Sequence, residues 1–215
     1  MDHKWEYVLP GEIEKRSFSI IESELAERGI ELDPDKAPVI KRCIHTSADF
    51  DYADNLCFSE SALEAAWDAI RGGAWIVTDT QMARAGINKK LLAHFGGQVV
   101  CFMSDEDVAA AAKAAGTTRA AISMQKAASL DKPLIFAIGN APTALIELDK
   151  LIQEGRVAPE LVIGVPVGFV NVVEAKELIM ESGVPYIVAR GRKGGSNIAA
   201  AICNALLYEL GKQES

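Results

Sequence analysis

The sequence predicts a three-layer, doubly wound α/β fold with a mainly parallel sheet of five strands and a helical segment at its N-terminus. Short, continuous apolar runs recur along residues 73–215, and alanine-rich helical stretches lie between most of them. Strands that are apolar throughout are typical of a parallel sheet covered by helices on both faces. Right-handed crossovers between such strands give a doubly wound arrangement. The five predicted strands are AWIVTD (74–79), QVVCFM (98–103), PLIFAIG (133–139), LVIGVPV (161–167) and PYIVAR (185–190).

Helices are predicted before the first strand and between the later ones. In the N-terminal part, residues 1–72, helical spacing of apolar residues appears in GEIEKRSFSIIESELAERG, in 39–45 and in ALEAAWDAIRGG. The later helices are predicted over 105–115, 117–128, 142–154, 172–181 and 197–210. Because no repeat or linker separates this helical part from the βα part, residues 73–215, we expect a single domain over residues 1–215.

Charge and hydropathy exclude several classes of protein. The formal net charge is −8, whereas a nucleic-acid-binding protein needs a basic face to neutralise phosphates. The sequence contains no apolar run of the roughly 18–20 residues that a membrane span requires. The N-terminal segment MDHKWEYVLPGEIEKRS lacks the apolar core of a signal peptide. We therefore expect a cytoplasmic protein without nucleic-acid or membrane partners.

The four cysteines predict neither disulfides nor a metal site. They are widely spaced and include no CxxC pair, and cysteines of a cytoplasmic chain are more often buried as small hydrophobic residues. No other cluster of metal ligands competes with this interpretation. The cysteines are Cys43, Cys57, Cys101 and Cys203.

The loop ARGRKGGSN (189–197) follows a predicted strand and precedes a helix, and it predicts an anion site. Ligands of doubly wound folds bind beyond the carboxyl ends of the strands. Three cations beside two glycines, ahead of helix N–H groups, favour an anion over the alternative, a tight turn with solvated charges. The spacing fits neither a Walker A motif nor a dinucleotide fingerprint. The candidate anion-binding residues are Arg190, Arg192, Lys193, Gly194, Gly195 and Ser196, with Ser196 or Asn197 capping the helix.

Further candidates for ligand contact lie near the ends of other helices. Asn140, in GNAPTAL, is predicted to cap the helix that follows it. Arg119, in GTTRAA, lies at the start of another helix, which Thr117 or Thr118 would cap. Arg16 and Ser17 lie on the first helix. Each of these residues alone is also consistent with capping or with a solvated surface.

Among three histidines, His45 is the best candidate for proton transfer. His3 lies in the N-terminal segment, and His94 ends a predicted helix, where interaction with the helix dipole explains it. His45, in KRCIHTSADF, has cationic, hydroxyl and carboxylate neighbours that could tune it. Histidine ordinarily exchanges protons near neutral pH. From the residues alone, a structural and a catalytic role of His45 both remain open.

Seven segments together resemble the precorrin-8X methylmutase (precorrin isomerase) family of cobalamin biosynthesis. They run in order over almost the whole chain, and GNAPTAL, PVGFV and RGRKGGS are a highly specific combination. The segments are EKRSFSIIESE (14–24), VIKRCIHTSADFDYADNLCFS (39–59), TDTQMARAGI (78–87), GTTRAAISM (116–124), AIGNAPTAL (137–145), IGVPVGFVNVVEAKE (163–177) and PYIVARGRKGGSNIAAAICNAL (185–206).

The resemblance implies an isomerase that moves a methyl group on ring C of a polycarboxylate tetrapyrrole by a 1,5-sigmatropic shift. The substrate would be precorrin-8X or its cobalt form, and the product hydrogenobyrinate or cobyrinate. The family's catalytic histidine falls on His45 and its substrate-binding serine on Ser17, and the cations would pair with substrate carboxylates. The family uses no organic cofactor, and no protein-bound metal is expected.

The resemblance also implies partners and leaves alternatives. A homodimer is expected, and the product would be handed to the next enzyme of the pathway. Two other functions remain open, a nucleotide-dependent transferase on the same fold and a tetrapyrrole-binding carrier without catalysis. The absent phosphate-binding motifs count against the transferase.

Overall fold

The computed structural model describes residues 7–214 of the chain, and its core is one sheet of six strands. The strands are β1 Leu56–Phe58, β2 Trp75–Thr78, β3 Val99–Val100, β4 Leu134–Ile138, β5 Leu161–Gly164 and β6 Tyr186–Ala189. Their order is β1-β6-β5-β4-β2-β3, and all neighbours are parallel except β1, which is antiparallel to β6. The predicted doubly wound, mainly parallel fold is confirmed, but the prediction of five strands is wrong by one.

The sixth strand, β1, forms because the edge of β6 is available to it. Leu56 pairs with Ala189 and Phe58 with Ile187, while the backbone N–H of Arg190 donates to the carbonyl of Asn55 at 2.8 Å. A run of three residues has no detectable periodicity in sequence. Pairing with a distant strand therefore decides its conformation. The pairing also brings the segment after His45 to the carboxyl end of β6.

Eleven α-helices and one short 3-10 helix, Pro10–Glu12, complete the described part of the chain. The helices are α1 Ile13–Glu27, α2 Ala37–Ser47, α3 Tyr52–Asn55, α4 Ala62–Arg71, α5 Gln81–Gly86, α6 Lys89–His94, α7 Glu106–Ala115, α8 Arg119–Ala127, α9 Pro142–Gln153, α10 Val172–Glu181 and α11 Ser196–Gln213. The five helices predicted between and after the later strands all form. The side chain of Thr118 caps α8 by accepting from the N–H of Ala121, as predicted.

Each face of the sheet carries its own hydrophobic core. On one face, α4 and α11 pack on strand residues that include Ile135 and Ile163, and α2 packs on α11 within the same core. On the other face, α8, α9 and α10 cover Phe136 and Val162. Burial of one Leu, Ile or Phe side chain stabilises a fold by about 1.5–3 kcal/mol. Because α2 belongs to the first core, the helix that carries His45 is fixed against α11, which itself packs on the sheet.

Three smaller predictions concern cysteines, membranes and the N-terminus. Cys43, Cys101 and Cys203 are buried, Cys57 is partly buried, and all four are free thiols. Burial raises the pKa of the Cys203 thiol to about 12. In residues 7–214, no helix is both long enough and apolar enough to cross a bilayer. His3 lies outside the described residues.

Candidate active site

The candidate site lies at the carboxyl edge of the sheet, where four loops meet. The chain places β3 on one side of β2 and then β4 on the other, so the switch point at which doubly wound folds bind ligands lies between β2 and β4. The loops after these strands begin with Asp79 and Gly139. The loops after β5 and β6, residues 165–171 and 190–195, complete the edge.

Asp79 organises the loop that follows β4. Its side chain is 1% exposed, and its carboxylate accepts hydrogen bonds from the backbone N–H groups of Gly139, Asn140 and Ala141 at 2.9, 2.8 and 2.6 Å. Burial raises the pKa of this carboxyl group above the usual range of aspartate, while the three donors act in the opposite direction. Asp79 therefore fixes backbone geometry at the switch point.

The prediction that Asn140 caps α9 is wrong. The N-cap is Ala141, which makes no capping side-chain hydrogen bond, and Pro142 opens the helix. The backbone N–H of Asn140 is bound by Asp79 instead, and the Asn140 residue is exposed at the edge of the switch point. The Asn140 side chain therefore has no capping role. It is accessible from the crevice, which is the space bounded by the four loops after β2, β4, β5 and β6.

The loops after β5 and β6 touch through glycines. A Cβ on Gly194, which has φ +158°, would collide with the carbonyl oxygen of Val165. The N–H of Gly195 donates to the same carbonyl at 2.9 Å. Gly139 is also closely packed, since a Cβ there would lie 2.6 Å from the Cα of Ser196. Because side chains do not fit at these positions, the three loops form one continuous backbone surface.

Ser196 lies at the switch point but does not cap α11. The N-cap of this helix is Gly195, without a capping side-chain hydrogen bond, so the predicted cap by Ser196 or Asn197 is wrong. The hydroxyl of Thr80 donates to Ser196 Oγ at 2.8 Å and accepts from the N–H of Ala83 at 3.1 Å. Ser196 therefore links the start of α11 to the loop after β2.

Lys176, on α10, fixes the 190–195 loop from beneath. Its side chain is fully buried, and its ammonium donates to the carbonyl oxygens of Gly191 and Lys193 at 2.7 and 2.8 Å. Burial lowers its pKa to about 8, because an apolar environment disfavours the charged form. The loop is thus shaped by a buried amine that also adds positive potential below it at neutral pH.

Lys176→Met is expected to change how stability depends on pH. An unfolded lysine binds its proton up to a pH of about 10.4, whereas folded Lys176 releases it near pH 8. The unfolded state of Lys176 then binds more protons between these values, so Lys176 contributes a stability that grows with pH there, against the fall caused by buried thiols such as Cys203. Urea unfolding at intervals from pH 7 to pH 11 should therefore show that wild type gains stability relative to Lys176→Met as the pH rises, whereas Lys150→Met, whose lysine is exposed, follows wild type. An identical pH dependence in Lys176→Met and wild type would contradict the assignment.

Lys193 connects the 190–195 loop to the segment that follows His45. Its ammonium contacts the carboxylates of Asp49 and Asp51, each at 2.6 Å, and these hydrogen bonds raise the pKa of Lys193 and lower that of Asp49. Asp49 and Asp51 follow His45 by four and six residues. The ion pairs therefore place the C-terminal end of α2 beside the crevice.

The arginines predicted to bind an anion differ in their surroundings. Arg190 pairs with Glu177 at 3.3 Å and remains 58% exposed. Arg192 places its guanidinium 5.4 Å from the ring centre of Phe169. Arg119 is exposed at the first position of α8. Arg190 and Arg192 thus share one loop at the crevice. Arg119 lies on α8, which belongs with α9 and α10 to the helical layer on the second face of the sheet.

His45 forms a hydrogen-bonded pair with Ser17. Ser17 lies on α1 and His45 in the last turn of α2, and their Oγ and Nδ1 atoms are 2.7 Å apart. The imidazole also stacks on Phe18, with ring centres 5.3 Å apart and an angle of 20° between the planes. The guanidinium of Arg42 lies 4.8 Å from the centre of the same Phe18 ring. These contacts fix the orientation of the imidazole and leave Nε2 outside the pair with Ser17.

An open cleft of about 690 Å³ lies beside this pair, between α1 and the end of α2. Its walls combine apolar side chains with the polar groups of the pair and with charged residues. The lining residues include Arg16, Ser17, Ile20, His45, Ala48 and Phe50. Of the sequence-predicted residues, Arg16, Ser17 and His45 therefore share one cleft.

The chain is a doubly wound α/β protein in which a histidine–serine pair lies next to a sheet edge with buried and exposed cations. This class of fold serves many enzymes, so the fold alone does not determine the reaction. The chain belongs to the precorrin-8X methylmutase family, whose family model matches residues 12–209.

Similar proteins cover nearly the whole chain. A cobalt-precorrin-8 methylmutase of Salmonella typhimurium is 48% identical over 94% of this chain and 96% of its own. A cobalt-precorrin-8 methylmutase of Priestia megaterium is 44% identical over 96% of this chain and 92% of its own. The crystal structure of a precorrin-8X methylmutase from Thermus thermophilus superposes with a TM-score of 0.85 at 39% identity, covering 95% of this chain and all of that one.

Family membership and the predicted fold class are thus confirmed. Neither the nucleotide-dependent transferase nor the carrier finds support among these proteins.

Two buried charged residues at the crevice, Asp79 and Lys176, were not among the residues predicted from the sequence. Their signal was present, because Asp79 ends an apolar strand and Lys176 lies on the same helical face as the buried Val172 and Ile179.

Proposed function

We propose that this chain is an isomerase of corrin biosynthesis that converts cobalt-precorrin-8 into its corrin product by moving one methyl group on ring C. Its family supports methyl migration as the reaction. The two cited relatives with 44% and 48% identity are both named for the cobalt form of the substrate, whereas the Thermus protein named for precorrin-8X is 39% identical. Cobalt enters here as part of the substrate.

The hydrogen bond between His45 and Ser17 is the observation that carries the proposed chemistry. Migration breaks one carbon–carbon bond and forms another on the neighbouring ring carbon, so the reaction needs no net change in protons. One acid–base group suffices if it donates a proton to the conjugated macrocycle and recovers it later. With Nδ1 paired to Ser17 Oγ at 2.7 Å, Nε2 of His45 is the nitrogen that would make this transfer.

The cationic loop would hold the carboxylates on the rim of the substrate. Arg190 and Arg192 offer planar guanidinium groups suited to carboxylates, and the N–H groups at the start of α11 favour anions.

The remaining candidate residues would add contacts elsewhere on the substrate. Asn140, Ser196 and the backbone of Gly194 and Gly195 would add hydrogen bonds at the switch point. Arg16 would act at the cleft, while Arg119 would reach a more distant carboxylate. A protein of net charge −8 can bind a polyanion in this way because the positive charge is local.

The proposal includes a homodimer that works in the cytoplasm and passes its product to the next enzyme. Exposed apolar side chains beside the His45 cleft support an interface, since Leu9 and Ile13 are each 55% exposed and Ile20 is 43% exposed. A dimer would cover these residues and enclose the cleft. Light scattering on the purified chain should therefore give twice the mass of 23.1 kDa.

Absorbance spectroscopy tests the reaction directly. The purified chain is mixed with cobalt-precorrin-8 or with metal-free precorrin-8X, and the spectral change to the corrin is followed over time. We expect conversion of both forms with a higher kcat/KM for the cobalt form. Binding without conversion would indicate a carrier, and a preference for the metal-free form would overturn the assignment of cobalt.

A further inference from the structure

The loop after β5 exposes apolar side chains at the carboxyl edge of the sheet. Val167, Phe169 and Val170 are 48%, 82% and 76% exposed. Burial of a Phe side chain stabilises a fold by about 1.5–3 kcal/mol. Because Phe169 is exposed, it does not contribute this stabilisation. Adjacent exposed apolar side chains on a globular protein commonly mark a binding surface.

The backbone of this loop is fixed in an unusual conformation. Gly168 has φ +149° and donates its N–H to the carbonyl of Arg192 at 3.2 Å. Asn171 has φ +55°, in the left-handed region, and its side chain makes no capping hydrogen bond to α10. Conformations that are rare for non-glycine residues persist where the surrounding structure imposes them, and they concentrate at functional sites. The loop is therefore held with its apolar side chains outward.

Arg192 gives this apolar surface a positive border. Its guanidinium lies 5.4 Å from the ring centre of Phe169, within the range of a cation–π interaction. The next residue, Lys193, contacts Asp49 and Asp51, which follow His45 in sequence. An aromatic face and an unburied guanidinium thus lie together on the same edge as the segment that carries the proposed acid–base group.

We propose that Phe169 and Arg192 form a platform for the substrate, with the Phe169 ring packed on the face of the conjugated macrocycle and Arg192 paired with a carboxylate on its rim. The inference rests on the proposed function, which supplies a flat, conjugated polycarboxylate as ligand. Such a ligand matches the platform in both shape and charge. Because the loop is held by its backbone contacts, the platform is pre-organised, and binding orders few side chains.

Direct titration with the corrin product tests the platform without requiring turnover. The probe is cobyrinate, followed by its absorbance, with wild type, Phe169→Ala and Phe169→Trp. Stacking of a planar base on an aromatic side chain is typically worth enough to change Kd about fivefold to a hundredfold, and we expect Phe169→Ala to weaken binding by that amount. Phe169→Trp should bind nearly as tightly as wild type. Leu178→Ala, at a 39% exposed residue of α10, is the control and should not affect Kd.

A double-mutant cycle tests the partnership with Arg192. Because the Arg192 guanidinium lies 5.4 Å from the Phe169 ring centre, the two side chains should act on the ligand as one unit, and the effects of Phe169→Ala and Arg192→Met on Kd should be less than multiplicative in the double variant. Effects that multiply would mean that the two residues do not form one platform. Because Phe169 is 82% exposed, Phe169→Ala should keep the wild-type melting temperature, so weaker binding would not reflect unfolding.

Two outcomes would overturn the platform. One is wild-type product affinity in Phe169→Ala. The other is a loss of oligomer mass in Phe169→Ala that accounts for any weaker binding, since a second copy of the chain would then occupy the surface. A different result would contradict the proposed function. If the wild-type protein binds cobyrinate through Phe169 but does not convert cobalt-precorrin-8, the platform is correct and the proposed reaction is wrong.

Discussion

His45→Ala should lower kcat for the isomerisation by about 10²- to 10⁴-fold, the usual contribution of a positioned acid–base group. The corrin product should still bind with nearly wild-type affinity, because the carboxylate contacts lie on other loops. The residue is only partly buried at the end of α2, so the fold should tolerate the change. Stopped-flow absorbance on substrate and equilibrium titration with product separate the two effects.

His94→Ala is the matched control for this prediction. His94 is exposed at the end of α6 and is remote in sequence from every element of the cleft. It should keep both the rate and the product affinity of wild type. A His45→Ala variant that isomerises substrate at the wild-type rate would show that another group transfers the proton.

Ser17→Ala should have a smaller effect in the same assay. A hydrogen bond of this kind contributes about 0.5–1.5 kcal/mol, which corresponds to a fall in kcat of about twofold to tenfold if Ser17 only orients the imidazole. The stack of His45 on Phe18 remains in this variant and preserves part of the orientation. A loss as large as that of His45→Ala would instead mean that Ser17 itself takes part in proton transfer.

The sequence predicts most of the fold because most elements carry their own signal. The central strands, such as β4 and β5, are buried along their whole length, and the helices between them have apolar faces at helical spacing. β1 has no such signal, because its three residues become a strand only by pairing with β6. Local pattern therefore predicts the layers, and long-range pairing decides the edge of the sheet.

The candidate site is less predictable from sequence, because its geometry depends on contacts between distant segments. Capping rules assign Asn140 and Ser196 to the starts of α9 and α11, yet a carboxylate 60 residues away binds the N–H of Gly139, and Thr80 holds Ser196. The cations of the 190–195 loop are adjacent in sequence, but Lys193 is engaged by Asp49 and Asp51. Sequence identifies the residue types at the crevice, and the fold decides which of them remain available to a ligand.

Asp79→Ala should lower the free energy of unfolding by about 3 kcal/mol or more. It removes the acceptor of three backbone N–H groups, and each buried donor without a partner costs about 1–3 kcal/mol. The loss is large beside a typical stability of about 5–15 kcal/mol. Asp79→Asn keeps one acceptor oxygen and nearly the same shape, so its loss should be intermediate. Urea unfolding at neutral pH measures both variants.

Asp131→Ala, at an exposed carboxylate in the turn before β4, controls for the loss of a negative charge and should unfold like wild type. Equal stability of Asp79→Ala and wild type would mean that solvent or loop rearrangement satisfies the three donors.

The milder Asp79→Asn variant allows KM, kcat and product Kd to be measured at a temperature where the protein remains folded. Because Asp79 fixes the backbone of Gly139 and Asn140 at the switch point, this variant should raise KM and product Kd more than it lowers kcat. His45→Ala should show the opposite pattern, since α2 and the switch point are held by separate contacts.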